Sequence, residues 1–178
     1  ILTIPCEKLS FNKFTLSTIE KREGKNRMNR YLEVNRIEFA VTYLCNSRCR
    51  HCQLGGEKER RKFPSHIDKD LAVEIVRKIG VKYNPESIMT FGGEPILYPE
   101  IVYAIHKEAT KVGILVRDVI TNGFWSRKTK ETQEIADNLV KHGVNKVSIS
   151  VDCFHQEFIP LKIVRQTAES LLKAGMAH

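Results

Sequence analysis

The sequence predicts an α/β protein built on a parallel sheet. Two observations carry this. Four segments close on a basic residue shortly followed by glycine: "RKIG" at Gly80, "TKVG" at Gly113, "VKHG" at Gly143 and "LKAG" at Gly175. Each ends a stretch with apolar residues at helical spacing, and a basic last turn before Gly is a helix stop signal. Short runs rich in β-branched residues alternate with these helices. Strands that alternate with helices require crossover connections and therefore parallel pairing. The glycines recur at intervals in the low thirties, as in ankyrin arrays. A strand in every unit favours the α/β layout over a solenoid.

The elements follow in order. Residues 1–35 are read as an N-terminal extension and 36–178 as the core domain. "RIEFAVTY" (36–43) is the first strand. Asp68 is placed to cap the first helix, with Leu71, Ile75 and Ile79 on one stripe. "SIMTF" (87–91) is the second strand. Pro99 opens the second helix, where its missing N–H costs nothing, and Ile101, Ile105 and Ala109 form its stripe. "LVRDVIT" (115–121) is the third strand, followed by a helix with Ile135 and Leu139 inward. "NKVSISV" (145–151) is the fourth strand, and Leu161, Val164, Ala168 and Leu171 mark the last helix.

Composition narrows the class. A chain of 178 residues, 42% hydrophobic, suits one domain with a real core. No apolar run approaches the ~20 residues of a membrane helix. The start, "ILTIPCEKLS", lacks both Met and the order of a signal peptide, so the N-terminus is expected to be processed or trimmed. Net charge is +8, partly local to "EKREGKNRMNR" (20–30) and "EKERRK" (57–62). Neither run is interleaved with the aromatics that single-strand binding uses, so both read as solvated loops and nucleic acid is not indicated. Of five cysteines, Cys6 and Cys153 stand alone and read as passive buried thiols. Three cluster. An odd, clustered set points to a reducing, cytoplasmic compartment rather than a disulfide framework. Tyr43, Phe91 and Trp125 read as packing residues. His66, His106, His142 and His178 receive no role.

Every strand ends on a polar or Gly-rich motif. The first is followed by "TYLCNSRCRHCQLGG" (42–56), which holds Cys45, Cys49 and Cys52 as C-x3-C-x2-C. The second runs into "GGEP" (92–95), the third into "TNG" (121–123), and the fourth into "SVD" (150–152) and then "CFHQ". In parallel α/β folds the active site forms at this edge, so the four motifs converge on one site. Three thiols are one short of a closed zinc site. His51, His66 or a distant residue could complete it, but using Cys49, His51 and Cys52 together would strain the loop. A [4Fe–4S] cluster normally takes four thiolates. With three, one iron stays open to an outside ligand.

The spacing of "CNSRCRHC" resembles the signature of the radical S-adenosylmethionine (SAM) superfamily, and "GGEP" resembles that superfamily's motif for the SAM amino group. The resemblance implies a partial (β/α) barrel, with about four of six βα units in residues 36–178. The core is thus expected to be truncated at its C-terminal end, with a further strand soon after His178. It implies that Cys45, Cys49 and Cys52 hold the cluster and that reductive cleavage of SAM yields a 5′-deoxyadenosyl radical, which abstracts hydrogen from a substrate. His51 takes the place near adenine. Gly92, Gly93, Glu94 and Pro95 are implied on the cofactor, with the two glycines letting backbone approach it and Glu94 accepting from the amine. Thr121, Asn122 and Ser150 offer hydrogen bonds to its carboxylate and ribose. A flavodoxin- or ferredoxin-type electron donor is implied as partner. Asp152 and His155, three residues apart beyond the fourth strand, are the catalytic candidates for contact or proton exchange with substrate. The alternative reading is a zinc- or iron-binding module that holds nucleic acid without catalysis.

Overall fold

The computed structural model describes residues 2–4 and 33–176. Cys6 and His178 lie outside them, as does the basic run at 20–30. Five strands form one parallel sheet in chain order: β1 (Leu2–Ile4), β2 (Arg36–Thr42), β3 (Ser87–Gly92), β4 (Val116–Thr121) and β5 (Lys146–Ile149). The last four are the strands read from sequence. β1 was not anticipated. It pairs Leu2 with Ile37 and Ile4 with Phe39 at the sheet edge, within what the sequence reading treats as an extension.

The longer helices are α2 (Lys69–Tyr83), α3 (Pro99–Lys111), α4 (Thr129–Lys141) and α6 (Leu161–Lys173). Two single-turn helices, α1 (Glu57–Arg60) and α5 (Cys153–Gln156), lie beyond strand ends. Sequential strand order with helices after each of β2 to β5 is the arrangement of a partial β/α barrel. The core joins Ile37, Phe39, Val41 and Ile88 of the sheet to Val76, Ile105 and Leu139 of the helices.

The helix signals fall largely where expected. Asp68 accepts from Leu71 N at 2.7 Å, and Pro99 is the first residue of α3. Gly113, Gly143 and Gly175 each follow a helix with positive φ. Gly80 does not. α2 runs through it to Tyr83, and Asn84 (φ 47°) takes the left-handed position before Pro85. A side chain at Gly80 would be driven into Val112, so this glycine serves the close approach of α2 and α3. The buried face of α2 is correspondingly Ala72, Val76 and Gly80, with Ile75 and Ile79 half-buried beside it. The same two helices are tied by buried Glu108, which receives Arg77 Nε at 2.6 Å and Lys111 Nζ at 3.0 Å. His106 is also buried. Its Nε2 lies 3.0 Å from Thr90 Oγ1, and burial pushes its pKa down to about 3, which keeps the ring neutral.

Candidate active site

The site grows from the ends of four parallel strands, where the ladder stops and backbone groups need other partners. Beyond β2 the chain turns at Thr42, whose hydroxyl donates to Ser65 O and accepts from Leu44 N at 2.9 Å. The cysteine loop follows. Cys52 N donates to Cys49 O at 3.1 Å, closing a turn that brings these two residues together. Polar groups of the loop face the sulfurs. Ser47 N lies 3.4 Å from Cys45 Sγ, and Ser47 Oγ lies 3.0 Å from Cys49 Sγ. Just beyond β4, Asn122 Nδ2 reaches Cys45 Sγ at 3.6 Å. All three thiols are free and half-buried. Burial raises the pKa of Cys45, an effect countered by the Ser47 N–H, by the charge of Arg60 and by Asn122.

The loop is held against the neighbouring strand ends. Gly93 N donates to Thr42 O at 2.7 Å and Glu94 N to Leu44 O at 2.9 Å. A side chain on Gly92 would collide with Thr42 O, and one on Gly93 with Leu44 O. Gly92 also has φ 144°. The glycines, read from sequence as allowing close approach to a ligand, allow close approach of β3 to the backbone that launches the cysteines. Asn122 Nδ2 bonds Asn46 Oδ1 at 2.8 Å, and Asn46 Nδ2 bonds Phe124 O at 2.7 Å.

Glu94 is placed differently from the sequence expectation. It is only 1% exposed and lies behind the cavity wall. Its Oε1 accepts from Ile96 N at 3.1 Å and Thr121 Oγ1 at 2.8 Å, and its Oε2 from Asn122 N at 2.8 Å. Burial nevertheless pushes its pKa up to about 7, with the three donors countering. Pro95 is likewise buried, opening a 3₁₀ turn at Pro95–Leu97. The Thr121 hydroxyl, which donates to Glu94, also accepts from Trp125 Nε1 at 2.8 Å and Gly123 N at 3.1 Å. Glu94 and Thr121 thus bolt the ends of β3 and β4 together.

One cavity joins Cys45, Cys49, Cys52 and His51 to Gly92 and Gly93, Thr121 and Asn122, and Ser150 and His155. The convergence read from the four motifs is present. Asp152 Oδ1 caps α5, accepting from Phe154 N at 2.9 Å and His155 N at 3.0 Å, and Oδ2 lies 2.7 Å from His155 Nδ1. These bonds lower the Asp152 pKa, that from His155 N most. His51 packs against Phe154 and His155, with ring centroids 4.8 and 5.0 Å apart. Arg50 pairs with Glu157. The turn beyond β5 therefore docks on the cysteine loop.

Two sequence readings are corrected here. Cys153 is exposed on α5, not buried, because the short helix turns it away from the core. The run at 57–62 is not wholly solvated. Arg60 is 7% exposed and lines the cysteine cavity. The sequence offered no periodic signal for it, since α1 is a single turn.

Fold and site together define an α/β domain with a cysteine-lined cavity at the carboxyl ends of its parallel strands. The chain belongs to the Radical SAM superfamily, whose model matches residues 39–175. Among curated proteins it is similar to a probable GTP 3′,8-cyclase of Sulfurisphaera tokodaii, 28% identical over 158 residues, covering 85% of this chain and 46% of the relative. It is also similar to a GTP 3′,8-cyclase of Helicobacter pylori, 27% identical over 154 residues, covering 80% and 44%. An S-adenosylmethionine-dependent nucleotide dehydratase of Lacinutrix mariniflava is 26% identical over 161 residues, covering 88% and 31%. The chain spans less than half the length of these relatives. Among the described residues no helix is long and apolar enough to cross a membrane.

Proposed function

We propose that Cys45, Cys49 and Cys52 hold a [4Fe–4S] cluster with one iron left for SAM, and that the protein initiates radical chemistry on a small organic substrate. The observation that carries this is the meeting of three free thiols with residues from three other strand ends in one cavity. The donor set fits the group. It is all thiol, and the N–H and O–H groups of Ser47 and Asn122 stand beside two of the sulfurs, where such bonds tune an iron–sulfur centre. When bound, the pair of cofactors supplies a one-electron cleavage of the SAM sulfonium to methionine and a 5′-deoxyadenosyl radical, the electron coming from a low-potential donor of the flavodoxin or ferredoxin kind.

The chain's own residues bind, orient and exclude water. Ser150 and His51 line the cavity and are the side chains this reading assigns to SAM, with the backbone of Gly92 and Gly93 as the wall beneath. Glu94, Thr121 and Asn122 act on SAM through placement, since their polar atoms are engaged within the chain. Asp152 holds His155 by Nδ1 and leaves Nε2 as the ring nitrogen for proton exchange with substrate. The relatives are named for GTP and nucleotide chemistry, which makes a nucleotide the substrate class to test first. The metal-binding module without catalysis finds no support in fold or family.

The test is anaerobic reconstitution with iron and sulfide, followed by dithionite and SAM in the presence of nucleotides. Visible absorption that bleaches with dithionite, with 5′-deoxyadenosine formed, is the expected result. Colourless protein with stoichiometric zinc and no SAM cleavage would overturn the reading.

A further inference from the structure

Arg60 is a buried cation in the wall of the cysteine cavity. Its Nε donates to Gly55 O at 3.0 Å, just past Cys52, and its Nη1 to Ser47 O at 3.3 Å, between Cys45 and Cys49. Two arms of one planar fork thus pin the cysteine loop from both sides. Among the described residues Arg60 forms no ion pair. Glu57, the carboxylate on the same short helix, is engaged by Arg61 at 2.6 Å and Arg48 at 3.6 Å. Burying an unpaired charge is costly unless something in the site answers it. Its charge reaches Glu57, which the two other arginines already hold, and, in the cavity wall, Cys45.

We infer that Arg60 is a positioning residue that also sets the reduction potential of the group held by Cys45, Cys49 and Cys52. The inference rests on the cluster reading above. One electron from the external donor enters the cluster, no bond to Arg60 forms or breaks, and the site gains one negative charge. A fixed cation in a low-dielectric wall stabilises that added charge more than it stabilises the oxidised form, which raises the midpoint potential. The paired, exposed Arg48, Arg50 and Arg61 are screened by water and by their own carboxylates.

The experiment is a redox titration of the reconstituted protein, followed by electron paramagnetic resonance, for wild type, Arg60→Gln and Arg60→Lys. The Gln variant is expected to have a more negative midpoint. The Lys variant is expected to keep a midpoint near wild type, since the charge remains, but to lose iron to a chelator faster, since an ammonium cannot hold both carbonyls as the fork does. Equal midpoints in wild type and Gln, with intact clusters, would overturn the inference and leave the cluster reading standing. Failure of wild type to load a cluster would overturn that reading instead. Should the Gln variant not load, the Lys variant decides: a lowered midpoint, or chelator resistance equal to wild type, refutes the role assigned here.

Discussion

Replacing Glu94 with Gln should remove a pH dependence of folding that the wild type carries. Burial raises the carboxyl from 4.5 to about 7 in the folded protein. A raised carboxyl means the folded state binds the proton more tightly than the unfolded chain. Its favourable contribution is therefore fully present below about pH 4.5 and is lost as pH rises through about 7. The gap corresponds to about 3 kcal/mol, most of it between pH 5 and 8. Gln mimics the neutral acid and should flatten this slope. It also turns an amide N–H toward the Asn122 N–H now bound by Oε2, which costs about 1–3 kcal/mol at every pH. At pH 5 the variant should thus be the less stable protein, and by pH 8 the two should be near parity. Urea denaturation of reduced, metal-free protein at several pH values measures both curves. Parallel curves across this range would show that Glu94 stays charged when buried and would refute the argument.

Three further outcomes follow from the site. Alanine at Cys45, Cys49 or Cys52 should abolish iron binding after reconstitution, while Cys153→Ala, whose thiol is exposed on α5, should keep the wild-type iron content. Gly93→Ala should lower stability by about 2 kcal/mol or more and iron content with it, because its Cβ meets Leu44 O; wild-type melting with only weaker SAM binding in calorimetry would return Gly93 to direct ligand contact. His155→Ala should slow turnover while SAM cleavage continues uncoupled, and unchanged turnover would reduce the Asp152–His155 pair to a helix cap.

Much of this was legible in the chain because short-range signals agreed. Alternating runs gave β2 to β5 within a residue or two, and the cap at Asp68 and the stops at Gly113, Gly143 and Gly175 stand where the residues put them. Gly80 misled because a glycine that permits a left-handed turn and one that permits helix contact look alike in sequence. Only the position of Val112 separates them. The true stop, Asn84 before Pro85, carried its own signal. Arg60 and β1 were not legible. One is buried by a loop with no period, and the other gains its strand character from pairing with Ile37 to Phe39.

The motif residues that most suggest ligand binding have their polar atoms engaged elsewhere, and this follows from where they stand. At the carboxyl ends of parallel strands the ladder no longer supplies partners, so N–H groups of Ile96, Asn122 and Gly123 must find others. Glu94 and Thr121 supply them, and Asn122 and Asn46 carry the same bonding across to the cysteine loop. The result is a cup whose rim is fixed from behind. Its inner wall holds the three thiols, two of which meet polar groups of Ser47 and Asn122, together with Ser150, His51 and His155. A site of this kind orients a ligand without reorganising its own polar groups, which is the condition under which fixed dipoles act most strongly. It also means that a substitution behind the wall reaches the cysteines through backbone. Glu94, just beyond the end of β3 and so between β2 and β4 in the sheet, touches both Leu44 by its N–H and Asn122 by its carboxylate, the neighbours of Cys45 on either side.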